Sequence, residues 1–476
     1  MPRDTLCSAC DAGIELSNDG NTSAMAIAGW VDSIDDNVVR GWAYNPGAAT
    51  HAEVEIWIGE RLIGSALAAE YRSDLAAAGV GDGHCGFTFQ LPDFGSETIT
   101  VRAIHAANGE TLNGGIRILS DGGLSKSDVF SGVLARGRWM VHRIRTDGEF
   151  VVEGWAVPPF GMPMEFAISH NGTLLELVSC VPSAEAATRF DIPPGSGAYD
   201  FIARGPLVPG SSSTAAHVFE FVNPRTGEPF DPHQSVALQI EHDGPIPDED
   251  RRKRVGGSSD LLPFLQQGLS AYLRLDQVLG EYFGSSFSAS RAILDWGCGC
   301  GRVFSHLPVE LLERLTGIDI DAGSVAWCRS VYPAARFETI ELDPPTALPT
   351  STYDVIFGIS VFTHLLEPAA EAWLQELHRL SAPGGAILVT VLGDVAWANA
   401  GFSLNRFIEF RASGFYNAGK NTDLDDAQAD ASQYYNTFVS RRYIYEKWSQ
   451  YFEVLDVIAG SIGNHQDLVV LRRRPN

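Results

Sequence analysis

The stretch "RAILDWGCGCGRVF", residues 291–304, sets three glycines and two cysteines within five positions behind a short apolar run. "AILDW" reads as a strand ending at Trp296, and a helix is expected from about Arg302. Gly297, Gly299 and Gly301 can adopt left-handed backbone angles and bring main-chain N–H groups close to a ligand. A helix N-terminus behind them would add partial positive charge. Three chemistries compete for this loop. A dinucleotide fingerprint needs G-x-G-x-x-G, and its last position falls on Arg302. A phosphate loop needs a Gly-Lys pair, which is absent. Cys298 and Cys300 form a C-x-C that leaves a metal shell half filled, so they read as small loop residues and no metal is expected.

Working outward, "DLLPFLQQGLSAYLRLDQVLGEYFG" (260–284) carries apolar residues at helical spacing. Beyond the loop, "LTGIDI", "YDVIFGIS" and "GGAILVTVLG" read as strands, alternating with helical patterns such as "AGSVAWCRSVY" and "EAWLQELHRL". This alternation predicts a largely parallel sheet with helices on both faces, where ligands bind beyond the carboxyl ends of the strands.

The pattern D-x-G-x-G-x-G from Asp295 to Gly301 resembles the first motif of class I S-adenosylmethionine-dependent methyltransferases. "GIDID" then stands where that family ends its second strand on an acidic residue. "ELDPPTALPTSTYDVIFGISVFTHL" resembles the stretch from the adenine contact through the fourth strand, and "LSAPGGAILVTV" the following turn and fifth strand. The resemblance covers residues 260–476. It implies a Rossmann-like α/β fold with a seven-stranded, mostly parallel sheet, S-adenosyl-L-methionine as cofactor and S-adenosyl-L-homocysteine as product.

Carried over residue by residue, Asp295 would anchor the methionine amine, and Gly297, Cys298, Gly299 and Gly301 would form the loop around it. Arg302 would serve the methionine carboxylate or a salt bridge on a helix surface. Asp319 would hold the ribose hydroxyls, a task for a group that can accept two hydrogen bonds, with Asp321 as the alternative. Ile320 would pack on adenine. Glu341, Leu342 and Asp343 compete for the remaining adenine contact, and Ser360 would line the sulfonium pocket.

Methyl transfer to oxygen benefits from positioning and from a general base. His364 in "SVFTHLLEP" is one candidate base, and a histidine there could equally buttress the next helix. His465 in "GNHQDLVVLRR" is the second, with a hydrogen-bonded turn as the competing reading. The aromatic- and Asn-rich insertion between the fifth strand and the last hairpin is expected to line the acceptor site, through Tyr434, Tyr435, Asn436 and Thr437. Trp448 and Phe452, at helical spacing, read as core.

The first half holds a degenerate repeat, Val38–Pro92 and Val151–Gly205, in which Trp42 aligns with Trp155. Short β-rich runs and turns such as Asn171-Gly172 predict two small all-β, sandwich-like domains, each tryptophan filling its own core. The "GWAY-P" and "GDG--GF---LP" patterns resemble β-rich modules attached to bacterial glycosyltransferases and glycan-assembly enzymes. The expected organisation is a flexible tail (1–24), a first module (25–120), a degenerate second module (121–245), a linker (246–259) and the methyltransferase domain (260–476). This association suggests a sugar or glycan hydroxyl as acceptor. N- or O-methylation of a small molecule or peptide is the alternative. A glycan-binding or oligomerising scaffold with an inactive second half is a further one. Homo-oligomers, or contacts with glycan-assembly proteins through the β modules, are open.

With 34 Lys and Arg against 59 Asp and Glu, the formal net charge is −25, which argues against nucleic acid as a partner. The densest basic run, Arg251–Arg254, reads as a solvated part of the linker. No apolar run approaches the roughly 20 residues that cross a bilayer, and no signal peptide is apparent. Seven cysteines, with one C-x-x-C at Cys7 and Cys10, fit a reducing compartment. A cytoplasmic location is the expectation.

Overall fold

The structure, a computed structural model, describes residues 28–35, 38–45, 51–58, 61–77, 79–91, 99–106, 110–119, 134, 136–146, 148–159, 165–190, 192, 197–207, 215–400, 410, 413–421 and 435–475. The expected tail with Cys7 and Cys10, and Tyr434, lie outside these residues. The chain divides into two compact units. One comprises 1–138 with 156–165 and 182–199, the other 139–155 with 166–181 and 200–476.

The first β module is a run of eight strands in the order Arg61–Leu67, Glu53–Ile58, Ile99–His105, Glu110–Leu119, Ala28–Asp35, Val38–Tyr44, His84–Gln90 and Glu70–Tyr71. Its pairings are antiparallel except where Trp30 meets Asn113. Trp42 is 1 % exposed and packs with Leu75, Val80 and Cys85.

In the second module, one four-stranded sheet runs Glu176–Pro182, Tyr199–Pro206, Glu149–Val157, Arg138–Arg145. The other runs Thr173–Leu174, Ala167–His170, His217–Val222, Ser235–Leu238. Trp155 is fully buried, and Asn171 and Gly172 take left-handed angles at a two-residue hairpin turn.

The C-terminal domain begins with two helices, α1 (Glu249–Gly256) and α2 (Leu261–Phe283). Then come β1 (Ile293–Trp296), β2 (Leu315–Asp319), α3 (Ala322–Val331), β3 (Arg336–Thr339), β4 (Tyr353–Gly358), α4 (Glu367–Leu380) and β5 (Ser381–Val391). The chain closes with a small hairpin of β6 (Phe415–Lys420) and β7 (Tyr435–Val439), followed by β8 (Glu453–Ile462) and β9 (Gln466–Arg472). The main sheet has seven strands in the order β3-β2-β1-β4-β5-β9-β8. It is parallel through β5, and β9 runs antiparallel to both β5 and β8. All four β1 side chains are buried, as a central parallel strand requires. Leu275 of α2 and Val325 of α3 pack into one apolar cluster, while Leu374 and Leu377 of α4 join Trp448 and Phe452 in another.

One expectation fails here for an identifiable reason. No α-helix starts at Arg302; the segment holds two 3₁₀ turns, Phe304–His306 and Val309–Arg314. Pro308 lies between them. It has no N–H to give an α-helix and biases Leu307 to the extended backbone observed there. The helix-dipole argument for the glycine loop therefore does not apply.

The segment expected as a linker, 246–259, contains regular structure. Glu249–Gly256 is a helix, N-capped by Asp248, which accepts from Arg251 N–H (2.9 Å), and closed by Gly257 in the left-handed region. The second β module is hydrogen-bonded to α2. Ala237 N–H donates to Ser270 Oγ on α2 (2.8 Å). The buried Arg274 donates to the Pro232 carbonyl (2.8 Å) and to Ser235 Oγ (3.1 Å). His233 Nε2 lies 2.8 Å from Glu281 Oε2. Among the described residues, no helix is long and apolar enough to cross a membrane.

Candidate functional site

At the carboxyl ends of β1, β2 and β4 the sheet opens into a pocket. It gathers Asp295, Gly297, Cys298, Gly299, Arg302, Asp319, Ile320, Asp321, Leu342, Ser360 and His364 from the residues singled out in the sequence. Two of the loop glycines are there because nothing larger fits. Gly297 has φ +76°, and a Cβ on it would sit 2.4 Å from Val361 Cγ2. Gly299 has φ +50°, and a Cβ would come within 2.7 Å of Val255 Cγ2 on α1.

Three of the loop's N–H groups are taken up by the end of β2. Those of Gly297 and Cys298 both donate to the Ile318 carbonyl (2.8 and 3.1 Å), and that of Gly299 donates to Asp319 Oδ2 (2.7 Å). The loop is thus moulded on the end of β2. The neighbouring thiols belong to that scaffold. Cys328 Sγ donates to the Gly299 carbonyl (3.4 Å), and burial pushes the Cys300 thiol up to about 12. Among the described residues, no cluster of three or more His, Cys, Asp or Glu could hold a metal.

Asp295 and Asp319 end adjacent parallel strands. Asp295 is 4 % exposed. Desolvation, then the charge of Asp319, hold its carboxyl well above the usual range, and Arg302 opposes this only in part. Desolvation also raises Asp319, whose Oδ1 accepts from Asp321 N–H (2.8 Å). Two carboxylates sharing one low-dielectric floor favour a cationic ligand, because it relieves both burial and mutual repulsion. Asp321, the alternative to Asp319, is already committed. Its oxygens cap α3 by accepting from Gly323 and Ser324 N–H, and accept from Ser324 Oγ–H (2.8 Å) and Arg254 Nη1–H (2.9 Å).

Arg254 and Val255 line the pocket from α1, which nothing in the basic run of the sequence indicated. Ile340, Leu365 and Trp373 add apolar wall. Trp373 Nε1 donates to the Leu342 carbonyl (3.0 Å), fixing the segment on which Leu342 enters the pocket. Glu341 and Asp343, the competitors of Leu342, are exposed and outside the lining. Gly301 also lies outside it, packed against the Phe304 ring. Arg302 lines the pocket while donating to Gln267 Oε1 on α2 (3.0 Å).

Of the candidate bases, His364 reaches the pocket and His465 does not. The Tyr435 carbonyl, 2.9 Å from His364 Nδ1, can only accept, so Nδ1 carries a proton, and the neutral form of the ring has its lone pair on Nε2. His465 is held in the β8–β9 turn, where Nδ1 accepts from Asn399 Nδ2 (3.2 Å). Tyr435, Asn436 and Thr437 also lie outside the lining. Tyr435 touches the site only through its carbonyl, Asn436 Oδ1 accepts from Asn421 Nδ2 (3.1 Å), and Thr437 is fully buried.

Residues 293–385 match the family model described as a methyltransferase domain. A malonyl-[acyl-carrier protein] O-methyltransferase of Serratia marcescens is 31 % identical over 140 residues, covering 29 % of this chain and 50 % of that protein. The chain thus spans about half the length of the curated relative it matches. Among solved structures, an S-adenosylmethionine dependent methyltransferase from Mesorhizobium loti is 17 % identical, covering 38 % of this chain and 90 % of that one with a TM-score of 0.29. A Burkholderia thailandensis 1,6-didemethyltoxoflavin-N1-methyltransferase is 15 % identical, covering 51 % and 97 % with a TM-score of 0.30.

Proposed function

We propose, from the premise that the C-terminal half carries a class I S-adenosylmethionine-dependent methyltransferase domain, that this chain methylates an oxygen of a sugar or glycan acceptor. The observation that carries the methyl-donor reading is the pair Asp295 and Asp319, raised by burial at adjacent strand ends in one pocket.

When bound, S-adenosylmethionine supplies a methyl group already activated by the sulfonium charge. Asp295 would accept from the amine of its methionine portion, whose charge would offset the burial of the carboxylate. Asp319, oriented by the Gly299 and Asp321 N–H groups, would accept from the ribose hydroxyls. Ile320, Ile340, Leu342 and Trp373 offer an apolar surface to the adenine and keep water from it. His364, with Nδ1–H donated to the Tyr435 carbonyl, would take the acceptor's proton on Nε2.

The glycan assignment is supported by the sequence resemblance of the first half to β-rich modules of glycan-assembly enzymes. A carboxylate oxygen is the second reading, favoured by the match to a malonyl-[acyl-carrier protein] O-methyltransferase. The tests are calorimetry with S-adenosylhomocysteine and a screen with labelled donor over nucleotide sugars, oligosaccharides, carboxylic acids and amines. Label on sugars is the expected result. Label on acids alone would favour the second reading, and a chain that does not bind S-adenosylhomocysteine would overturn the methyl-donor reading.

A further inference from the structure

Ser360, at the mouth of β4, lines the pocket with φ +65°, a left-handed angle that a residue with a side chain adopts only when its surroundings enforce it. Two contacts do so. Its N–H donates to Thr390 Oγ1 on β5 (2.8 Å), and Gln466 Nε2, at the start of β9, donates to its Oγ (2.7 Å). The Gln466 Oε1 atom is buried without a partner among the described residues, so the bond to Ser360 is what orients the amide.

The turn before Gln466 is itself braced. Asn464 takes φ +50°, its side chain donates to the Trp139 carbonyl in the second β module, and its own carbonyl accepts from Asn399 Nδ2 (3.4 Å). The same Asn399 holds His465, and His465 N–H closes the turn on the Ile462 carbonyl (3.2 Å). In the "NHQD" segment, His465 and Asn464 thus build the turn, and Gln466 is the residue that reaches a pocket-lining group.

We propose that Gln466 is a positioning residue of the ligand pocket: it clamps Ser360 in the left-handed conformation that shapes the pocket mouth, from a turn anchored on the second β module. The inference rests on the methyl-donor reading of this pocket. It also gives the second module a part in the site, through Trp139 and Asn464.

The test is calorimetry with S-adenosylhomocysteine on the full chain, as a double-mutant cycle of Gln466→Ala and Ser360→Gly. Glycine takes φ +65° without a clamp. Losing one hydrogen bond should weaken binding about fivefold in Gln466→Ala. In the Ser360→Gly background the same substitution should cost nothing further. Gln466→Glu, whose carboxylate can accept from Ser360 Oγ–H, should recover most of the loss, which separates positioning from misfolding. Equal losses in both backgrounds, or no loss in Gln466→Ala, would overturn the proposal. Failure of the wild-type chain to bind would instead overturn the methyl-donor reading.

Discussion

Asp319 accepts the Gly299 N–H at 2.7 Å, so the carboxylate that ends β2 also fixes the glycine loop that follows β1. One side chain therefore serves the shape of the pocket and its charge. Asp319→Ala should weaken S-adenosylhomocysteine binding by at least tenfold, about 1.4 kcal/mol. Asp319→Asn can keep an acceptor for the loop while losing the charge, and should fall between. Calorimetry on the two variants checks the order.

Asp295 gives a pH signature. Its carboxyl titrates well above the ordinary value of 3.8, so the folded empty protein binds a proton more readily than the unfolded chain does. That contribution to stability is fully present below the unfolded value and is lost as pH rises through the folded one. Asp295→Asn should therefore melt higher than wild type near neutral pH, with the difference shrinking to nothing below about pH 3.8. Binding should show the opposite sign: wild-type affinity for S-adenosylhomocysteine rises with pH as Asp295 ionises, and the variant's affinity does not. Thermal melts from about pH 3 to 8 and titrations from about pH 4 to 8 test both halves.

Gly299→Ala places a Cβ in a left-handed backbone and 2.7 Å from Val255. The backbone term alone costs about 1–2 kcal/mol. Urea unfolding should register at least that loss. Val255→Ala should recover only the part due to the clash, since the angle remains.

His364→Ala should leave S-adenosylhomocysteine affinity within about twofold and slow methyl transfer by about 100-fold, the low end for a lost general base. If affinity falls in parallel with rate, His364 acts by buttressing the pocket through Tyr435 and not on the acceptor.

Arg274 joins α2 to the second β module, donating to the Pro232 carbonyl and Ser235 Oγ from a site only 3 % exposed. Desolvation lowers it to about 10, against the pull of Asp231, Glu281 and Glu220, so it stays charged at neutral pH. Arg274→Ala should cost about 2–4 kcal/mol, because it leaves those acceptors without their donor. Calorimetric melting of the full chain, read for a transition that splits in two, measures it.

The parts of the site legible in the sequence were those carried by strand ends. Asp295, the glycines and Asp319 follow directly from "AILDW" and "LTGIDI", because a parallel sheet delivers the carboxyl ends of successive strands to one edge. The competition between Asp319 and Asp321 was not legible. Both are acidic, two residues apart and in the pocket wall, and the α3 cap and the Arg254 pairing of Asp321 appear only in the fold. After the loop, the apolar spacing around Pro308 is helical while its backbone chemistry is not, so 3₁₀ turns stand where the pattern predicts an α-helix. The basic run at Arg251–Arg254 looked like a linker because its composition is that of a solvated segment. Its role depends on Arg254 and Val255 meeting Asp321 and Gly299 from far along the chain.

By itself the sequence determined the order of strands and helices, the glycines at the first loop and the acidic residues that face it. Those features are local: periodicity and backbone permission act over a few residues. The tertiary structure decided which polar groups remain available. Hydrogen bonds between distant segments consume the Gly297, Cys298 and Gly299 N–H groups, commit Asp321 to its helix and His465 to its turn, and bring His364 to the pocket. A donor or acceptor has a limited number of partners, and which ones it finds is settled only when the chain folds back on itself.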